Sequence, residues 1–259
     1  MTRDPIDRFT DRVDDYEKYR PDYPASLYEL LVAEYGVAPT DRIVDLGVGT
    51  GLLARLFLER GHAVIGVDPN EAMLRAGERA LSSFATYLAV PATAEETTLP
   101  DASADLITAG QAFHWFDPER ARKECLRLLK SNGLVALVWN TWDQSTPRMQ
   151  GYRAIAEHYS ADPMCMHHSA EAQQRNVVRF FEGRFEKHSL PHGQRLDRQG
   201  LRGRMMSSSY SPKPDDPRHT PMLAELDHLF DTWAGAEGLF EFALTTNVFA
   251  ARLAAQTRP

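Results

Sequence analysis

The chain has 259 residues and a formal net charge of −7, from 36 acidic and 29 basic side chains. That length supports one large α/β domain with a built-on cap, and the acidic balance repels phosphate backbones, so nucleic acid is not an expected partner. The two cysteines, Cys125 and Cys165, are too few and too far apart for a disulfide scaffold, and no apolar run approaches the ~20 residues of a membrane span.

The first twenty residues are charged, without the apolar stretch of a secretory signal, so a cytoplasmic location is expected. Phe9, Val13, Tyr16 and Tyr19 recur at helical spacing, and Pro21 and Pro24 stop that helix. A second helix spans 25–36, with Leu27, Leu30 and Leu31 on one side and Gly36 as its stop. Strands and helices then alternate. Strands are predicted at 42–46, 63–67, 84–90, 104–109 and 134–139. Helices are predicted at 52–60, 70–80 and 118–129, the last ended by Asn132-Gly133. The strands are almost wholly apolar, as in a parallel sheet covered on both faces. Beyond Asn140 the pattern changes to helix over 147–182 with a polar interruption, a strand over 185–196, a short helix at 201–207, a helix over 221–233 and a last strand over 239–249.

The expected fold is therefore α/β: a Rossmann-like, doubly wound, seven-stranded sheet, mostly parallel with the last strand antiparallel, and helical caps at both ends. The chain reads as a single domain, 1–259, with a lead-in at 1–36, a cofactor-binding core at 37–140, and a substrate cap plus two last strands at 141–259.

The most informative segment is Asp45-Leu46-Gly47-Val48-Gly49-Thr50-Gly51, which follows a strand and opens a helix. Glycines there permit a tight turn and close approach of a ligand to the backbone, and amides at a helix start are open to negative charge. Asp68 ends the next strand, at the position of the acid that binds ribose hydroxyls in nucleotide-binding sheets; it is also placed to cap the following helix before Pro69. A dinucleotide loop, G-x-G-x-x-G, would need glycine where Leu52 stands, and a phosphate loop ending in Gly-Lys-Ser/Thr is absent.

The alternating-glycine string resembles motif I of the class I S-adenosylmethionine-dependent methyltransferases. Val64–Asp68 with Asn70–Leu74, Thr93-Ala94-Glu95 with Leu99-Pro100, Ala104–Ile107 and Leu129–Leu134 are similar to that family's later segments. Within the class, Tyr16, Tyr19-Arg20-Pro21, Tyr23-Pro24 and Ala112-Phe113-His114-Trp115-Phe116 resemble the trans-aconitate methyltransferase-like group. The resemblance implies a small-molecule methyltransferase with S-adenosyl-L-methionine as cofactor. It implies that Gly47, Gly49 and Gly51, with Asp45 ahead of them, line the methionine part. Asp68 would hold the ribose, and Ala94 would offer its N–H to adenine. Relatives carry an acid where Thr93 stands, with Glu95 as a substitute. Arg20 would clamp the methionine carboxylate, with Tyr16 closing over it.

Methyl transfer from a sulfonium needs alignment and exclusion of water more than covalent help. Residues after the fourth strand lie at the carboxyl edge of the sheet, where ligands bind in open α/β folds. Gly110, Gln111, Phe113, His114 and Trp115 are thus expected nearest the methyl. His114 is the candidate base or orienting group, Trp115 the candidate aromatic wall, and Gln111 a further cofactor contact. Met205, Met206 and Tyr210 are candidate cap contacts or cap core. His167-His168 beside Cys165 do not have the spacing of a metal site, and no metal is expected. The acceptor is expected to be a small molecule methylated on a carboxylate or hydroxyl oxygen, in a monomer or homodimer; a cofactor-binding accessory or regulatory protein without turnover is the alternative.

Overall fold

The structure, a computed structural model, describes residues 19–160, 170–208 and 210–253. Most of the lead-in helix, Tyr16 included, lies outside these residues, as do Cys165, His167 and His168. The elements in chain order are α1 (Ala25–Tyr35), β1 (Arg42–Leu46), α2 (Leu52–Leu58), β2 (Ala63–Val67), α3 (Glu71–Ala80), β3 (Tyr87–Val90), β4 (Ala104–Gly110), α4 (Pro118–Leu128), β5 (Leu129–Trp142), α5 (Pro147–Tyr159), α6 (Ala170–Phe181), β6 (Glu186–Leu196), α7 (Arg198–Met206), α8 (His219–Trp233) and β7 (Phe240–Arg252).

The seven strands form one sheet in the order β3-β2-β1-β4-β5-β7-β6. β7 runs antiparallel to both neighbours, and the pairs from β3 through β5 are parallel. The strand order reverses between β1 and β4, so a crevice opens at their carboxyl ends. Local chemistry sets the helix starts: the Asn70 side chain accepts from the N–H groups of Ala72 and Met73, and Asp117 accepts from Glu119 and Arg120 with Pro118 as first helical residue.

Side chains alternate across the sheet and feed two cores. Val135, Leu137 and Trp139 of β5 pack toward α4 and α6, with Cys125 and Phe180. Leu134, Ala136 and Val138 pack the other way, with Leu27 and Leu31 of α1 and Phe57 of α2. A third core, around Tyr152, Met205, Leu226 and Phe242, belongs to α5, α7, α8 and the upper ends of β5 and β7.

Two boundaries around β5 differ from the sequence reading. Helix α4 stops at Leu128, and Asn132-Gly133 fall inside β5: Leu129 pairs with Ala104, and a register shift before Leu106 takes up the extra residues. β5 runs on through Asn140, Thr141 and Trp142 because these pair with Thr246, Thr245 and Leu244 of β7. Pro191 sits within β6, which is tolerated because that strand is an edge of the sheet.

Candidate functional site

The glycine turn lies across the carboxyl end of β2. The N–H groups of Gly47 and Val48 both donate to Val67 O, at 2.7 and 3.1 Å. The Gly49 N–H donates to Asp68 Oδ2 at 2.9 Å, while Asp68 Oδ1 accepts from Asn70 N–H at 2.8 Å. These loop amides therefore point inward to β2, where the sequence alone suggested open donors at a helix start. Asp68 is the clamp between turn and strand, and it is Asn70 that caps α3.

All three glycines take positive φ, and two of them are glycine for a second reason, crowding. At Gly47 (φ +68°) a Cβ would stand 2.4 Å from Ala112 Cβ, and at Gly51 (φ +85°) 2.4 Å from Leu81 Cδ1. The first of these contacts joins the glycine turn directly to the loop after β4.

Asp45 is sealed beneath the turn. It is 1% exposed, and its Oδ1 accepts from Thr108 Oγ1 at 2.7 Å. Burial raises its carboxyl to about 7, against the Thr108 hydrogen bond that lowers it and with the nearby Asp68 charge adding to the rise. Asp68 is raised as well, by burial, with the Asn70 and Gly49 amides opposing.

On the adjoining loop Ala94 is buried and Thr93 exposed. Glu95 Oε1 accepts from the Asp117 N–H at 2.8 Å, which ties that loop to the start of α4. A few residues on, Glu124 Oε1 accepts from Thr97 N–H (2.8 Å), Thr97 Oγ1 (2.6 Å) and Arg127 Nη2 (2.7 Å). The Arg127 guanidinium, followed by the Thr97 donors, holds the Glu124 carboxyl down at about 2 against the cost of burial.

After β4 the chain turns sharply. Gln111 takes φ +57°, donates its N–H to Val138 O (2.9 Å) and its Nε2 to Asn140 O (2.8 Å). A non-glycine residue held in that region marks a point of backbone strain fixed by its surroundings. The 3₁₀ turn Phe113–Trp115 then splits its side chains. Phe113 is buried against Phe116, Trp139 and Phe180, so it belongs to the core and not beside a ligand. His114 is half-buried with its ring 4.7 Å from that of Trp115, which is 36% exposed.

Residues 19–24 bridge the turn and the cap. The Tyr23 hydroxyl packs over Gly110, where a Cβ would come within 2.5 Å of it, and the Tyr19 ring lies as closely over Gly203 of α7. Arg20 Nη2 donates to Ser207 O at 3.0 Å. Met205 is fully buried in the cap core; Met206 and Tyr210 are partly buried against it, with Tyr210 edge-on to Trp142.

The structure thus brings Gly47, Gly49, Gly51, Asp68, Gln111 and the 112–116 loop to one crevice, with Asp45 under it and Arg20 reaching the cap. Sequence reasoning noted Tyr23 only as part of the lead-in resemblance and missed the polar group Asn140, Thr246 and His192. The available signal was Thr246, a hydroxyl in the alternating row Phe240, Phe242, Leu244, Thr246, Val248, Ala250, all of it buried.

Residues 44–137 match the family of the methyltransferase domain. An uncharacterised methyltransferase of Schizosaccharomyces pombe is 36% identical over 167 residues, 62% of this chain and 64% of that protein. One of Mycobacterium tuberculosis is 41% identical over 136 residues, 52% of this chain and 53% of that protein. The matches thus span about half to two-thirds of these relatives. Among solved structures, a candidate type II methyltransferase of Anaeromyxobacter dehalogenans superposes with a TM-score of 0.61 at 22% identity, over 92% of this chain and all of the other. A phosphoethanolamine N-methyltransferase of Haemonchus contortus superposes at 0.53 and 15% identity, over 95% of this chain and 58% of the other. Residues 44–137 are thus similar to the methyltransferase-domain family, and the chain shares its fold with the methyltransferase structures on which it superposes.

Proposed function

We propose that the protein transfers the methyl group of S-adenosyl-L-methionine to a carboxylate or hydroxyl oxygen of a small molecule. The observation that carries this reading is the Asp68–Gly49 contact: it sets a carboxylate at the switch point of the sheet, directly against the glycine turn. Each Asp68 oxygen accepts one amide and keeps a lone-pair site for a ribose hydroxyl. The residues present fit the cofactor on that ground.

In this reading Gly47, Gly49 and Gly51 shape the methionine side and Asp68 orients the ribose. Ala94, with Thr93, meets the adenine through the backbone. Asp45 acts from below as a positioning residue through Thr108. Arg20 and Tyr16 close the site from the lead-in, and Gln111 fixes the far wall. The bound cofactor supplies an electrophilic methyl on a sulfonium. His114 orients the acceptor and the Trp115 face screens the cation from water. The test is a panel of small acids, phenols, alcohols and amines with radiolabelled cofactor. Transfer to an oxygen acceptor supports the reading; transfer confined to amines, or cofactor binding without any transfer, refutes it.

A further inference from the structure

The cap meets the crevice through residues 19–24. The Tyr23 hydroxyl covers Gly110 at the end of β4, and the Tyr19 ring covers Gly203 of α7. Arg20 lies between these anchors, three residues from Tyr23, at most about 10 Å of chain. Its Nη2 donates to Ser207 O at 3.0 Å. Arg204, on the last turn of α7, places its Nη1 3.5 Å from the hydroxyl of the same Ser207. Two guanidiniums therefore converge on one residue of the cap, beside the end of β4.

Arg204 is 3% exposed, with its guanidinium carbon 5.3 Å over the Phe242 ring. A stacked guanidinium spends its face on the ring and keeps its edge for planar oxygens, which it takes two at a time. Two tyrosines join it. Tyr152 is fully buried, edge-on to Trp142 and Phe242 at 5.1 and 4.8 Å, and its hydroxyl makes no hydrogen bond among the described residues. The Tyr210 hydroxyl bonds to Ser208, and its ring is edge-on to Trp142. Burial raises the pKa of both hydroxyls, against the Arg204 and Arg20 charges that reach them, so both stay protonated at neutral pH.

The floor of this group, Tyr152 and Arg204, is buried, while its rim, Arg20, Trp142, Met206 and Tyr210, is half-buried. The rim belongs to the wall of the crevice. Trp142 ends β5, two residues past Asn140, whose backbone oxygen holds Gln111 of the loop after β4. Like charges drawn together out of water repel one another, and a buried hydroxyl with no acceptor is destabilising. One anion set among these groups relieves both.

We propose that Arg204, Tyr152 and Tyr210 form a recognition site for a carboxylate of the methyl acceptor, with Arg20 on its border toward the cofactor. This deepens the methyltransferase reading and rests on it. Charge-assisted hydrogen bonds from buried donors draw on the lone pairs of the held carboxylate and blunt it as a nucleophile. The methyl therefore goes to another oxygen of the same molecule. The substrate class is a small acid with a second oxygen group, a hydroxyl or a further carboxyl, and neutral alcohols and phenols are poor acceptors.

The test pairs acids with their neutral amides on the full chain: para-hydroxybenzoate with para-hydroxybenzamide, mandelate with mandelamide, glutarate with its diamide. Binding to the S-adenosylhomocysteine complex is read by calorimetry, and transfer with tritiated S-adenosylmethionine. Acids should bind roughly 10- to 150-fold more tightly than their amides, the range of hydrogen bonds to a charged group, and should show correspondingly lower KM. Arg204→Met should erase that preference through KM, with kcat and cofactor Kd within about threefold. Arg204→Lys should restore part of it. Tyr152→Phe removes only the hydroxyl: it should weaken acid binding roughly 10-fold while stability to urea without ligand stays equal to wild type or rises, an outcome that a structural role for the hydroxyl would not give. Acids that bind and react no better than their amides, or an acid preference unchanged in both Arg204→Met and Tyr152→Phe, overturn the assignment. Failure of the wild type to bind S-adenosylhomocysteine would instead defeat the underlying methyltransferase reading.

Discussion

Asp68 Oδ2 accepts the Gly49 N–H at 2.9 Å, so the carboxylate that ends β2 also fixes the turn that follows β1. One side chain thereby couples the shape of the glycine turn to the group best placed for a ribose.

Gly47→Ala should destabilise the fold strongly. It adds left-handed strain of ~1–2 kcal/mol to a 2.4 Å clash with Ala112, an overpacking term of ~1–3 kcal/mol. Gly61 has a similar φ of +86° but nothing within 4 Å of a Cβ. Gly61→Ala should therefore cost only the strain, about 1–2 kcal/mol. Urea unfolding of the two variants checks the contrast; equal losses would show that the contact with Ala112 is immaterial.

Asp45 should make stability fall as pH rises. Its folded pKa, about 7, lies above the unfolded value near 4. The folded state then holds the proton more tightly. Its favourable contribution is fully present below pH 4 and is lost as pH climbs to 7, by at most about 4 kcal/mol. Asp45→Asn should remove this slope and be the more stable form at pH 8. Parallel pH-dependent curves for the two proteins would contradict the assignment.

Glu124 should act with the opposite sign. Its folded pKa, about 2, lies below the unfolded value. Its contribution is present above pH 4.5 and is lost as pH falls toward 2. Glu124→Gln keeps the shape but removes charge-assisted bonds to Thr97 and Arg127, at a cost of about 1.5–3 kcal/mol at pH 7. Thermal unfolding should show the gap to wild type closing between pH 4.5 and 2; a gap constant with pH contradicts this.

His114→Gln should slow methyl transfer while S-adenosylhomocysteine affinity stays within about twofold. The side chain is half-buried on the 3₁₀ turn beside exposed Trp115, outside the core that holds Phe113. Equal losses of affinity and turnover would assign it a structural role instead.

Much of the fold was legible because β1, β2 and β4 are largely buried on both faces and therefore mostly apolar, Asp45, Asp105 and Thr108 aside. The pairing of Asn140–Trp142 with β7 was not legible, since polar residues carry no periodic signal and the partner strand lies about a hundred residues away. Asp45, Gly47, Gly49, Gly51 and Asp68 could be picked from spacing alone. Their division of labour could not: that Asp45 is buried under Thr108 while Asp68 reaches the turn depends on a strand register that only the folded sheet defines.

The central claim is that the glycine turn and Asp68 together cradle the adenosyl cofactor. Calorimetric titration of S-adenosylhomocysteine into wild type and Asp68→Ala, with urea unfolding to confirm that both are folded, tests it most directly. The account predicts one-to-one binding by wild type and a loss of ~1.5–3 kcal/mol, roughly 10- to 150-fold in Kd, in the variant. Equal affinity in the two folded proteins, or no binding by wild type, would contradict it.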